Sequence, residues 1–497
     1  MLFNSFDFLV FFPIVSLIYF LIPRKIRYIW LLVCSYYFYM CWNAAYAILL
    51  FASTFVTWLS GIAIGRAKEQ EKEDPQRLRS KGIVAISFIV NLSMLAFFKY
   101  AVFVIDNLNQ ILEITGVQLM IPKIDILLPV GISFYIFQAL SYTMDVYRGD
   151  VRVEKNILKY MVFVSFFPQL VAGPIERSAN LLHQFDEGHK FNYDRVCRGL
   201  MMMTWGYFQK MVIADRVAVL VNQVFDYSGY YAGFEILTGV VFFAVQIYCD
   251  FAGYSNIAIG AAEVLGFQLM KNFKEPYLSC NVAEFWKRWH ISLTGWFRDY
   301  LYIPLGGNRK GKWKKYRNIM IVFLTSGLWH GANWTYVIWG GLNGLFQVIG
   351  AQTETLRNTC KKRLGMKTES GSWKLFSGIV TFFLIDFTWI FFRADSVEAA
   401  VTMISRLFAS FNPWVLADGT LYTLGLSMID FWIAVLSSCI LLTVDILHRR
   451  GVEIRQWILN QNLCFRWILY YAAIFSVLIF GFYGPNYDAA QFIYFQF

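Results

Sequence analysis

Charge is scarce in this chain. Of its 497 residues only 15% are Asp, Glu, Lys or Arg, while 58% are hydrophobic and 19% aromatic, a balance that excludes an ordinary water-soluble domain. The eight cysteines include no CxxC pair. The nearest two, Cys34 and Cys41, fall two turns apart on a helical reading, so they read as reduced packing residues rather than a disulfide framework. Five histidines form no HExxH or other close ligand spacing, and no protein-held metal is expected. Met1 to Asp7 carries no base, so the first apolar stretch lacks the charged leader of a secretory signal and is expected to stay as a span. No linker, low-complexity tract or solenoid repeat interrupts the sequence, and 1–497 is expected to form one membrane-embedded domain.

What the chain has instead is a succession of apolar runs long enough for a bilayer, which takes roughly 20 residues per helix. Phe8 to Ile22, Ile83 to Ile105 and Phe376 to Phe392 are clear examples. The expected fold is all-α, a polytopic bundle of about 11–12 spans. Residues 28–64 predict a helical hairpin broken near Asn43, and 126–146 a further span. Tyr160 to Pro174 carries Pro168, Gly173 and Pro174 and predicts a re-entrant or broken helix, because irregular backbone survives at membrane depth only where protein or a cavity shields it. Residues 318–350 predict a hairpin of two short helices.

The net charge of +11 does not point to nucleic acid, because the bases gather in short loops between apolar runs. Between Lys271 and Arg317 eleven Lys or Arg face three acids, and further clusters lie at Arg24–Arg27, Arg66–Lys81, Arg357–Lys374 and His448–Arg455. The positive-inside bias makes these loops cytoplasmic. Threading the spans between them leaves the N-terminus and the tail 485–497 outside a multi-pass protein of the cell (inner) membrane. The basic segment GGNRKGKWKKYR admits donor phosphates as a ligand, but topology alone accounts for its charge.

Ionisable side chains inside apolar runs are the natural candidates for chemistry. His330 lies in Ile321–Gly350, which contains no Lys, Arg, Asp or Glu. A neutral imidazole takes a proton from a hydroxyl and returns it to a leaving group near neutral pH, the step acyl transfer needs; a packed, hydrogen-bonded histidine is the structural alternative. Asn333 shares its face if the helix continues, placed to orient the ring or hold an acyl carbonyl, and Gly327 and Gly331 permit close approach. His290 falls within AEFWKRWHISLTGWF, whose aromatics recur at helical spacing and predict an amphipathic helix in the membrane interface. Asp250 interrupts another apolar run and either meets a substrate or pairs with a base such as Lys210 or Arg298. Tyr494, in the terminal FIYFQF, is either an interfacial anchor or an external phenol. A phenol, with a pKa near 10, is a better leaving group than a sugar alcohol, so an acyl-tyrosine ester would remain activated.

In order, the blocks NSFDFLVFFP, LPVGISFYIFQALSYTMDVYRG, FFPQLVAGPIERS, YCDFAGYSNIAIGAAEVLGF, EFWKRWHISLTGWFRDYLYIPLGGNR, SGLWHGANWTYVIWGGLNG and FIYFQF resemble the membrane-bound O-acyltransferase superfamily, in the bacterial branch of alginate O-acetyltransferases and teichoic acid D-alanyl transfer proteins. The resemblance implies that His330, of the WHG block, is the active-site residue and that His290, of the WHxS block, supports it, with Tyr494 as a transient acyl acceptor. Asn333, Asp250, Trp329 and Arg298 are the accompanying candidates for substrate contact.

It further implies no bound cofactor. The donor substrate is acetyl-CoA or another acyl thioester reaching the site from the cytoplasm, and the acyl group leaves outside, to an external polysaccharide acetyltransferase or SGNH-type partner. Membrane lipid is the other partner. Because the terminal motif is fused to the chain, O-acetylation of a cell-surface or secreted polysaccharide, as in alginate biosynthesis, is favoured. D-alanylation of teichoic acid is the alternative, and a transporter or channel is the alternative of another class.

Overall fold

The computed structural model of the protein describes residues 1–73, 79–117, 119–483 and 493. Every regular element among the described residues is helical, as the composition requires. The expected tail, 485–497, lies outside the described residues except for Ile493. Packing gathers the chain into two units, residues 1–200 with 258–270, and residues 201–257 with 271–497.

The first unit opens with α1 (Phe6–Leu21), capped by the Ser5 hydroxyl, which accepts from the Phe8 amide. The hairpin expected over 28–64 is present as α2 (Arg27–Met40) and α3 (Ala47–Glu73). Its break falls at Asn43, whose side chain accepts from the Ala45 amide and starts the next turn. Helix α4 (Arg79–Ile114) has 36 residues, about 54 Å of helix, more than a bilayer core is thick.

Helix α5 (Ile132–Arg148) differs from the span expected at 126–146. It is 17 residues long, and Gln138, Ser141 and Thr143 are as buried as its apolar residues, so protein rather than lipid surrounds it. The broken segment is as expected: α6 (Ile157–Ser165) stops at Phe166. The released backbone is satisfied by side chains. Gln138 Nε2 and Gln169 Nε2 donate to the Phe163 carbonyl at 2.6 and 2.9 Å, and Ser35 Oγ accepts from Phe167 N–H at 3.0 Å.

In the second unit, a π-helical turn, Phe208–Ala214, leads into α7 (Asp215–Asp226). Helix α8 (Phe234–Leu265) contributes its residues up to Ile257 here. Two short helices, α9 (Val282–Arg288) and α10 (Ile291–Phe297), precede the hairpin of α11 (Lys312–His330) and α12 (Trp334–Gln352). Then come α13 (Gly371–Arg393), α14 (Val397–Ala409), α15 (Met428–Arg449) and α16 (Leu463–Phe480). Of the 18 residues of α16 only Val477 is buried, so the helix turns nearly its whole apolar surface outward, a face suited to lipid.

The α11–α12 hairpin is held at main-chain distance. A Cβ on Gly327 would stand 2.3 Å from the Tyr336 carbonyl oxygen, and one on Gly340 would stand 2.3 Å from that of Phe323. Small residues therefore let the two backbones touch, the device membrane helices use where apolar surface gives no drive to associate.

Among the described residues six helices are long and apolar enough to cross a membrane and Phe6–Leu21 is a shorter apolar one, which fits the polytopic helical bundle expected. One expectation is corrected. The interfacial amphipathic helix is not formed: its sequence folds as α9 and α10 with a break at Trp289–His290, and Phe285, Trp286, Trp289, Leu293, Trp296 and Phe297 are all buried.

Candidate active site

His330 is the last residue of α11 and is 5% exposed. Its Nδ1 lies 2.7 Å from the carbonyl oxygen of Ser326, one turn back. A carbonyl only accepts, so Nδ1 carries the proton and Nε2 carries the lone pair. The ring is enclosed edge-on by Trp329 and Trp339, each with its centroid 4.9 Å away, and by Phe392 at 5.5 Å. Trp339 stacks in turn on Trp389 of α13 at 5.8 Å. An imidazole thus sits in one tautomer inside an aromatic cage, the arrangement for a general base that must exclude water.

His290 is the second imidazole, its centroid 6.5 Å from that of His330 and 6.0 Å from that of Trp329. It stands between α9 and α10 at φ 44°, ψ 54°, a left-handed conformation uncommon outside glycine and a sign of a position fixed by its surroundings. What fixes it is Asn272. The Asn272 side-chain oxygen accepts from His290 Nδ1 at 3.1 Å and from Ser292 Oγ at 2.9 Å, while its backbone carbonyl accepts from Ile291 N–H at 2.9 Å. Asn272 Nδ2 donates to Ser255 Oγ at 3.2 Å. All four side chains, Asn272, His290, Ser292 and Ser255, are essentially fully buried.

Replacing Asn272 by leucine removes the side-chain oxygen and amide group at nearly constant volume and leaves the backbone carbonyl in place. It is expected to destabilise the protein by about 3 kcal/mol and to lower turnover. Thermal unfolding in detergent, read alongside activity, checks this; an unchanged midpoint would deny Asn272 the role.

The other candidates separate. Trp329 stands beside both histidines. Asn333 is not on the His330 face, because α11 ends at His330 and Gly331 takes an extended conformation. Its side-chain oxygen instead caps α12 by accepting from Thr335 N–H, and its Nδ2 donates to the Asp395 carbonyl at 3.0 Å, so it fixes the hairpin turn. Asp250 pairs with Lys210 at 2.6 Å, one of the two bases expected for it. Arg298 pairs with its neighbour Asp299 at 2.7 Å and is two-thirds exposed. Tyr494 lies outside the described residues.

Reading the sequence missed Asn272, Ser292, Trp339 and Phe392. The serine two places after His290 was the available signal. Nothing in the spacing links His290 to Asn272, 18 residues away. Among the described residues no group of His, Cys, Asp and Glu has the arrangement of a metal site.

A family model, "MBOAT, membrane-bound O-acyltransferase family", matches residues 151–363, the stretch that contains both histidines. The chain is 39% identical over 419 residues to a protein of Pseudomonas putida named "Probable alginate O-acetylase AlgI", covering 84% of this chain and 82% of that one. It is 33% identical over 405 residues to the peptidoglycan O-acetyltransferase of Helicobacter pylori, covering 76% and 73%. With the teichoic acid D-alanyltransferase of Bacillus subtilis the identity is 28% over 228 residues, covering 42% and 55%.

Proposed function

This chain belongs to the membrane-bound O-acyltransferase family and is a membrane acyltransferase, and from that premise we propose that it moves acetyl groups to the hydroxyls of a cell-surface or secreted polysaccharide. The relatives named for alginate and peptidoglycan O-acetylation align over three quarters of the chain or more, whereas the D-alanyltransferase aligns over 42%. Acetyl is therefore preferred to D-alanyl as cargo. Family membership sets aside the transporter or channel considered from sequence.

The observation that carries the reading is the 2.7 Å contact of His330 Nδ1 with the Ser326 carbonyl, which leaves Nε2 as the base. In the proposed sequence a thioester such as acetyl-CoA approaches from the cytoplasmic side of the inner membrane, and no resident cofactor takes part. Nε2 removes the proton of an acceptor hydroxyl, the oxygen attacks the thioester carbonyl, the C–S bond breaks, and the thiolate leaves with the proton. Tyr494 is the first acceptor. Its phenyl ester then passes the acetyl group to polysaccharide outside, directly or through an external acetyltransferase of the SGNH type, and the phenol is regenerated. Among the other sequence candidates, Trp329 walls the histidine, while Asn333, Asp250 and Arg298 act through structure rather than by touching the acyl group.

Mass spectrometry of the C-terminal peptide tests this. An acetyl adduct of Tyr494 is expected in the wild type and is lost in Tyr494→Phe and His330→Ala. An alanyl adduct would instead reassign the cargo, and polymer acetylation persisting at wild-type level in both variants would sink the proposal.

A further inference from the structure

Among the described residues only two other than glycine hold a left-handed backbone, His290 at φ 44° and Glu275 at φ 42°. A Cβ makes that conformation unfavourable, so each persists only where its surroundings over-determine it. The two lie on facing stretches of chain. Residues 272–275 run beside residues 288–291, joined by main-chain bonds from Lys274 N–H to the Arg288 carbonyl and from Ile291 N–H to the Asn272 carbonyl, both at 2.9 Å. The stretch 272–275 is therefore a strap. At one end Asn272 fixes the His290 ring, and at the other stands the second left-handed residue, Glu275.

One side chain holds the far end. Arg288, the last residue of α9, donates from Nη1 to the Lys274 carbonyl at 3.1 Å and to Glu275 Oε2 at 3.2 Å, and from Nε to Glu284 Oε1 at 3.0 Å. Glu284 is itself fixed. Its Oε2 accepts from Cys280 N–H at 2.9 Å, and its Oε1 lies 3.5 Å from Nη2 of Arg449, the last residue of α15. Two guanidiniums thus meet two carboxylates, in side chains 12–31% exposed, and salt screens such partly buried charges less than exposed ones. Serving a carbonyl and two carboxylates from fixed directions suits the guanidinium fork, whereas a lysine ammonium is a point charge on a flexible stem.

We propose that Arg288 is a positioning residue for His290: by pinning Lys274 and Glu275 to the end of α9, it keeps Asn272 in register with the His290 ring. Without the fork, Glu275 is free to return to an ordinary backbone conformation, the strap slides, and Asn272 Oδ1 leaves His290 Nδ1. The consequence for transfer rests on the reading of the two histidines as the acyl-transfer site; the strap itself does not.

Magic-angle-spinning NMR of the full chain in nanodiscs, with ¹⁵N-labelled histidine, tests it. The chain has five histidines, and the His290 resonances are identified by their loss in His290→Gln. The wild type is expected to show His290 protonated at Nδ1. In Arg288→Gln that signal is expected to fall at least twofold, with those of His183 and His189 unchanged, and polymer acetylation to fall about tenfold or more at equal protein in the membrane, since small misplacements at a reacting site are costly. Lys287→Gln removes the same charge from the exposed neighbouring residue and is expected to match the wild type in both measurements. Should Arg288→Gln fold poorly, Arg288→Lys keeps the charge and the stem without the fork, and the Nδ1–H signal is expected to fall there too.

A wild-type Nδ1–H signal in the Arg288 variants, or an equal loss in Lys287→Gln, would overturn the inference. A weakened His290 signal with unchanged polymer acetylation would support the strap and overturn only its part in transfer.

Discussion

Exchanging His330 for glutamine is expected to lower polymer acetylation by about 10²–10⁴-fold, the contribution a positioned general base makes, with the yield of folded protein near that of the wild type. The expectation rests on the ring's environment. Glutamine fills most of the space within Trp329, Trp339 and Phe392 and can still donate to a carbonyl, but it has no basic nitrogen. A histidine present only for packing predicts the opposite pattern, in which acetylation survives and folding suffers. Quantifying O-acetyl groups on isolated polysaccharide by proton NMR, alongside the membrane content of the variant, separates the two. Acetylation above a tenth of wild type at equal protein level would remove His330 from the chemistry.

The largest structural effect is expected at the hairpin glycines. Gly327→Val must place carbon where the Tyr336 carbonyl oxygen lies 2.3 Å away. The atom in the way is main chain, so no rotamer relieves it, and the helices must separate. A cost of about 3 kcal/mol or more follows for overpacking of this kind, enough to deplete folded protein in the membrane. Gly341→Ala is the matched control: the nearest atom to its Cβ, Leu324 Cδ2, is 3.6 Å away, an ordinary contact, and alanine favours helix over glycine. Size-exclusion profiles of fluorescent fusions after mild heating should show loss of the first and survival of the second. Equal behaviour of the two would mean that α11 and α12 are not held by this contact.

Some of this was legible in the sequence for physical reasons that can be named. A histidine in 30 residues without a charge had to be shielded by protein, and Asn43, Pro168 and Gly173 are residues that end helices whatever surrounds them. Asp250 inside an apolar run had to find a cation, and Lys210 was one of two foreseen. The errors are equally specific. Apolar spacing through Phe285, Trp289 and Trp296 suits one amphipathic helix, yet it also suits two short ones packed into a core. The choice was made by Asn272, whose hydrogen bonds hold His290 at positive φ. For Asn333 the pattern contained the answer, since a glycine followed closely by asparagine is both a helix stop and a helix start. Helix α5 owes its apolar character to burial in protein, which hydropathy alone does not distinguish from a lipid-facing span.

The contact between His330 and the Ser326 carbonyl also bears on how long a proton can stay at the site. Where a histidine base leans on a carboxylate, the imidazolium formed on proton capture meets a compensating charge and can wait. Here Nδ1 meets a carbonyl at the end of a helix, which orients the ring and offers a partial rather than a full counter-charge. On the proposed function, a proton taken from the acceptor hydroxyl would pass on to the departing thiolate, which would couple deprotonation and C–S cleavage in time. A donor with a poorer leaving group should be penalised twice, once for its slower bond cleavage and again for stranding the proton on His330.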